Sequence, residues 1–189
     1  MRFRHVVRGG RYLRVADASW RRPLDGTFAA ERGARWNPPG SFPVVYLCST
    51  VEIARANVLR RFAGLPYSPL DLLPERRPVL VETDVRTHRA IDVVTDAGCR
   101  AAGLPATYPR EADGAEVGWD RCRPVGQAAW DQGEASIACR SAAARPGDRG
   151  EELAWLVRAP EDRLRVARRR SFDDWFARGP ARSLNLAPR

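Results

Sequence analysis

Six side chains in this sequence have the chemistry to hold or act on a ligand: Arg14, Arg35, Trp36, Tyr46, Asn57 and Ser141. A guanidinium can bond two oxygens of a phosphate or carboxylate at once, and an arginine is rarely buried without such a partner. Arg35 stands between Gly33 and the pair Trp36-Asn37, ahead of a proline-stiffened loop. It therefore calls for an anion, either a carboxylate such as Glu31 or a ligand phosphate. Arg14 lies inside the run Arg11-Tyr12-Leu13-Arg14-Val15, where the residues alone read as an exposed strand arginine. Trp36 suits a core or a pocket wall, and Asn37 suits a turn. Tyr46 sits in an apolar run and needs one hydrogen-bond partner for its hydroxyl. Asn57 offers an amide that can bond a hydroxyl but carries no charge. Ser141 follows an apolar run, and neither of the two histidines, His5 and His88, is near it in sequence. A Ser-His-Asp hydrolase is therefore not supported.

These residues need elements to hold them. Residues 11–15 read as a first strand. Pro38, Pro39, Gly40 and Pro43 make residues 37–43 a loop. The β-branched and aromatic run 44–47 reads as a buried strand. Thr50 can cap a helix whose apolar positions, Ile53, Ala56 and Leu59, recur at helical spacing. Prolines at 66, 69, 74 and 78 make residues 64–78 a loop with one helical turn. Two strands follow, 79–85 and 89–94, and Thr95 or Asp96 caps a short helix through Ala101. Residues 105–118 form a loop whose acids, Glu111 and Glu116, are expected to be solvated, with either able to reach a pocket. A short helix at 125–132, a strand at 135–139 running into Ser141, a small polar loop at 142–150 and a buried strand at 152–157 complete the core. A basic edge strand at 163–170 and a helix from Phe172 to Arg178, capped by Ser171, end the chain, with residues from Pro180 frayed. Short strands broken by helices, without βαβ alternation, indicate an α+β domain.

The stretch 33–62, GARWNPPGSFPVVYLCSTVEIARANVLRRF, resembles the RES domain, the toxin half of a class of bacterial toxin–antitoxin pairs. A looser match, GQAAWDQGEASIACRSA, runs from Gly126 to Ala142. The resemblance covers residues 12–157 and implies a single RES-like domain over 1–189, with the basic strand and short helix 163–179 appended. It implies a mixed, split β-core with short helices, similar to the ADP-ribosyltransferase fold, that clamps NAD in a cleft. It implies cleavage of the nicotinamide–ribose bond, with water or inorganic phosphate as acceptor, NAD as substrate, no true cofactor and no metal. In these terms Arg14 and Arg35 hold the pyrophosphate, Trp36 and Tyr46 line the pocket, and Ser141 bonds the nicotinamide amide or a phosphate. The resemblance further implies that NAD depletion stops growth and that a cognate antitoxin, a separate chain of helix-turn-helix type, blocks the pocket. One position departs from the family: where RES toxins carry an acid one helix length after the strand tyrosine, this chain has Asn57. Glu52, five residues earlier, is turned some 140° away on the helix. The departure thus weakens catalysis, moves the acid elsewhere, or marks a variant branch.

Composition sets the outer bounds. The chain has 189 residues, enough for one domain with a real core. No stretch approaches the roughly 20 apolar residues of a membrane span, and the N-terminus has no apolar signal core, so a cytoplasmic location is expected. All 32 basic residues are arginine, and the net charge is +9. The excess suits nucleotide phosphates, nucleic acid or an acidic partner. The four cysteines are widely spaced, which disfavours zinc and favours buried free thiols. Two alternatives to an active RES toxin remain. One is a RES-fold nucleotide-binding protein left weak or inactive by Asn57. The other is a basic nucleic-acid-binding protein resting on Arg168-Arg169-Arg170, for which no recognition motif is present and direct nucleic-acid contact is not expected.

Overall fold

The spine of the molecule is one 15-residue strand, β3 (Val79–Val93). The sequence divides this element in two, because Arg86, Thr87 and Arg89 are exposed and interrupt the apolar alternation. Backbone pairing with β1 (His5–Ala16) carries the strand through that polar stretch, with an irregularity between Arg8 and Gly10. β1 is likewise longer than its apolar centre suggests, for the same reason. The computed structural model describes residues 1–144 and 150–177. The expected helix end at Arg178, the expected frayed stretch from Pro180 and the rest of 178–189, with positions 145–149 of the polar loop, lie outside them.

The remaining strands are β2 (Val44–Cys48), β4 (Ser136–Arg140), β5 (Glu151–Leu156) and β6 (Val166–Arg170). Their order is β1-β2-β5-β4-β3-β6, and the additional β1–β3 pairing closes the first five into a ring. The sheet is mixed: β4 runs parallel to β3, and every other pairing is antiparallel. Instead of a split core the structure has a single continuous sheet that closes on itself. Side chains alternate between its faces. Tyr12, Val45, Leu47, Val81, Val85, Ala138, Leu153 and Trp155, from all five ring strands, fill the interior.

Helices cover the outside. α3 (Asp96–Ala101) and α4 (Trp119–Asp131) bury Cys99, Cys122, Val125 and Ala129 against the outward residues Val44, Ile91, Val93, Ile137 and Ala154. Thr95 caps α3 by accepting the Gly98 N–H. α4 begins at Trp119 rather than at 125, because Pro124 is tolerated in a helix whose following turns are this well buried. α1 (Thr27–Arg32) is short, and α2 (Val51–Phe62) starts at its Thr50 cap, whose side chain accepts the Ile53 N–H. The buried face of α2 is Ile53, Ala54 and Val58, not the expected Ile53, Ala56 and Leu59; Leu59 is 38% exposed. The helix is weakly amphipathic, so its partners choose the face: Leu13, Leu80, Phe172 and Trp175 pack against it. Residues 64–78 hold two 3-10 turns, Pro69–Asp71 and Pro74–Arg76. Ser171 accepts the Asp174 N–H ahead of a wide turn, Asp173–Ala177, where a regular helix is expected from the sequence. No helix of the described residues is long and apolar enough to cross a membrane.

Candidate active site

The loop after α1 is held by its own residues. Gly33 ends the helix with φ +72°, ψ 161°, a conformation only glycine adopts easily, and a Cβ there would meet the Pro39 ring. Asn37 is fully buried. Its Nδ2 donates to Ala29 O at 2.5 Å and its Oδ1 accepts the Tyr46 hydroxyl at 2.8 Å. The same hydroxyl accepts the Trp36 N–H at 3.0 Å. Tyr46 therefore clamps Trp36 and Asn37 to β2, and burial raises its pKa well above the ordinary phenol value. Trp36 is 1% exposed and packs beside the Tyr108 ring. On its other side α4 passes so close that a Cβ on Gly126 would stand 1.6 Å from Trp36 O. The glycine of the GQAA motif is thus what lets the helix backbone rest on this loop.

Sheet register then assembles a polar cluster that the sequence leaves scattered. Cys48 on β2 and Cys139 on β4 both lie directly opposite Glu152 on β5. Tyr46, two residues before Cys48, falls on the same face, as does Ser141, two residues after Cys139. Ser141 is 2% exposed and donates to Glu152 Oε1 at 2.6 Å, while its Oγ accepts the Ala143 N–H at 3.1 Å. Asn57 reaches the same oxygen from α2: its Nδ2 donates to Glu152 Oε1 at 2.8 Å and to Cys48 Sγ at 3.5 Å. A carboxylate only accepts, so the amide nitrogen must face it. Burial, with Glu152 adding to it, pushes the Cys48 thiol up to about 12, so this cysteine is no nucleophile at neutral pH. Burial raises Cys139 further.

The two arginines have opposite environments. Arg35 binds Glu116 and also donates to Val117 O at 3.3 Å. Arg60, three residues after Asn57 and so on its side of α2, binds the other oxygen of Glu116. Burial alone would raise the Glu116 pKa, but the bonds from Arg60 and Arg35 outweigh it and hold the carboxyl below its usual range. The expected anion for Arg35 is therefore supplied by Glu116, not Glu31, and Glu116 is not the solvated loop acid the sequence suggests. Among the described residues Arg14 has no such partner. It is 7% exposed, and its Nη1 is buried without a hydrogen bond. Its guanidinium lies 5.7 Å from the Trp20 ring centre. Burial, then repulsion from Arg61, pulls its pKa down to about 10, against weaker support from Asp25, Cys48 and Tyr46. The same Trp20, with Arg21, Arg22, Asp25, Thr27 and Phe28, lines a cleft of about 260 Å³. Tyr108, near Arg35 and Glu152, has a second buried and unpartnered polar atom, its hydroxyl oxygen. Among the described residues no three His, Cys, Asp or Glu side chains converge to hold a metal.

The site thus joins two loops, a helix and three strands around Tyr46 and Glu152. The RES domain model matches residues 11–176. The chain belongs to the RES domain family. Its match extends through β6 to Phe176, beyond the core legible in the sequence. The NAD(+) phosphorylases MbcT of Mycobacterium tuberculosis strain H37Rv and of Mycobacterium bovis are each 31% identical to it over 107 residues, 57% of this chain and 54% of theirs. The aligned stretch spans about half the length of these relatives. The crystal structure of the M. tuberculosis MbcT–MbcA toxin–antitoxin complex contains a chain with the same fold, at TM-score 0.70 and 23% identity, covering 88% of this chain and 86% of that one.

Glu152 and Tyr108 are the candidate-site residues that the sequence reading missed, and Glu116 reads there as solvated or as reaching a pocket, without its pairing to Arg35 and Arg60. A charged residue opening an otherwise apolar strand is the one local signal for Glu152. Glu116 and Tyr108 lie in an irregular loop and carry none.

Proposed function

We infer that this protein is a RES-type toxin that cleaves the bond between nicotinamide and ribose in NAD and passes the ADP-ribosyl group to inorganic phosphate or water. The observation that carries the reading, given the family, is Arg14: a buried guanidinium with an unpartnered Nη1 is costly unless an anion joins it. The pyrophosphate of NAD is such an anion and can take two of its N–H groups at once. The name of the mycobacterial relatives supports phosphate as the acceptor.

In the reaction the C1′–N bond breaks and its electron pair stays on the departing nicotinamide, whose ring nitrogen becomes neutral. Positive charge builds on the ribose until an oxygen of phosphate or water bonds C1′; with water, one proton is released. The chain's task is to hold the dinucleotide, exclude bulk water and meet that charge with a fixed negative group. Arg14 binds the pyrophosphate, the Trp36–Tyr46 side forms the wall at the nicotinamide end, and Arg35 with Arg60 provides a second positive site once Glu116 yields. A separate antitoxin chain would silence the enzyme by covering this site, in keeping with the complex in which the structural relative was crystallised.

Nicotinamide release by purified protein, with and without phosphate, tests the reading. The expected result is consumption of NAD that accelerates with phosphate and yields a phosphorylated ADP-ribose. NAD left intact, with no shift of the thermal unfolding midpoint on adding it, would overturn the proposal.

A further inference from the structure

The family's acid is absent at position 57, but a carboxylate occupies the space that Asn57 faces. We propose that Glu152, at the start of β5, is the catalytic carboxylate of this protein, taking over from β5 the charge that other family members supply from the helix. The inference rests on the NAD-cleaving reading above.

Three observations carry it. First, Asn57 Nδ2 lies 2.8 Å from Glu152 Oε1, so the charge stands within one hydrogen bond of the vacated position. Second, Ser141 Oγ donates to the same oxygen at 2.6 Å, so one oxygen is fixed by two neutral donors from two other elements. Among the described residues no cation pairs with Glu152, unlike Glu116, which takes two arginines. A carboxylate tied by neutral donors keeps its full negative charge to offer, whereas one clasped by guanidinium groups does not. Third, Tyr46, Cys48 and Cys139 share its face of the sheet, and burial keeps all three uncharged. Glu152 is the carboxylate on this wall, opposite Cys48 and Cys139 in the sheet register.

The pairing also explains Asn57. A second carboxylate beside Glu152 would share its site, and two like charges at hydrogen-bond distance cannot both ionise readily. An amide donates to Glu152 and leaves its charge single. In this role Glu152 stabilises the cation forming at C1′ as the nicotinamide departs, and with water as acceptor it can accept the proton released. Ser141 and Asn57 act as positioning residues through it.

The test measures nicotinamide release and NAD binding for the full-length protein and for Glu152→Gln, Asn57→Glu and the double variant. Glu152→Gln keeps shape and removes charge. It should lower kcat by about a hundredfold or more while NAD affinity changes little. Asn57→Glu alone should also slow the enzyme, because the paired acids share a proton. The double variant, with one acid at the family's position, should recover at least tenfold over Glu152→Gln, which a merely structural Glu152 would not permit. Should Glu152→Gln unfold, Glu152→Asp decides: it keeps the charge but draws it back, and should fold, bind NAD and lose rate. Parent-level turnover in Glu152→Gln, or in a folded Glu152→Asp, overturns the assignment alone. A parent that binds no NAD and leaves it intact overturns the functional reading, and this inference with it.

Discussion

Arg14 is buried and Arg35 nearly so, yet one is satisfied and the other is not. Arg35 is clasped by Glu116, which Arg60 shares, so its charge is neutralised within the fold. Arg14 is buried beside Trp20 and close enough to Arg61 to be repelled by it, with Nη1 left without a hydrogen bond among the described residues. The difference separates two ways of preparing for an anion. A paired arginine costs the folded protein little, but a ligand must displace its carboxylate. An unpaired one burdens the apo protein and gives its whole interaction to the ligand. The two positions should therefore respond in opposite senses to substitution.

The strongest way to break the comparison is to dislodge one side of it. Gly126→Ala places a methyl group against Trp36 O and must push the Arg35 loop off α4. It should cost about 3 kcal/mol and lower Tm by roughly 6–12 °C, read by thermal denaturation, and it should weaken NAD binding while leaving Arg14 in place. Next in size, Arg14→Met should reduce NAD affinity about a hundredfold by calorimetry. The same variant should raise the apo Tm by about 2–4 °C, because an unpaired buried charge is removed. A fall in both would show that Arg14 is structural. Glu116→Gln should do the reverse of Arg14→Met on both counts: NAD binding strengthened several-fold, and Tm lowered by about 2–4 °C for a loss near 1 kcal/mol. The smallest effect is the pH dependence of that loss. The Glu116 pKa is depressed from 4.5 in the folded state, so its stabilisation is complete above about 4.5 and fades as pH falls through the lower folded value. The Tm gap between parent and Glu116→Gln should thus be constant near neutrality and shrink below pH 4.5.

Local chemistry made several elements legible. Thr50 and Thr95 cap the helices that their positions suggest, and the short β-branched run before Cys48 is a buried strand. The GARWNPPG and GQAA motifs meet in space at Gly126 and Trp36, consistent with reading them as parts of one family pattern. Other features depend on contacts distant in sequence. The phase of α2 is chosen by Phe172 and Trp175, more than 110 positions downstream. The continuity of β3 comes from β1 backbone pairing that side-chain alternation does not record. Glu152 joins Asn57 across 95 positions through sheet register, and Glu116 joins Arg35 across 81 through a loop without periodicity. Pattern reading finds elements; the tertiary fold, through sheet register and loop packing, decides which charges become neighbours.

That closure leaves β6 at the end of the strand order. An unpaired strand edge invites a second copy of the chain to add its own strand, the first step of ordered aggregation. Here the five residues Val166–Arg170 include Arg168, Arg169 and Arg170, and four of the five positions are exposed. Two such edges approaching each other bring like charges together. The arginine run that invites a nucleic-acid interpretation thus also lines this edge with like charges, which oppose such pairing.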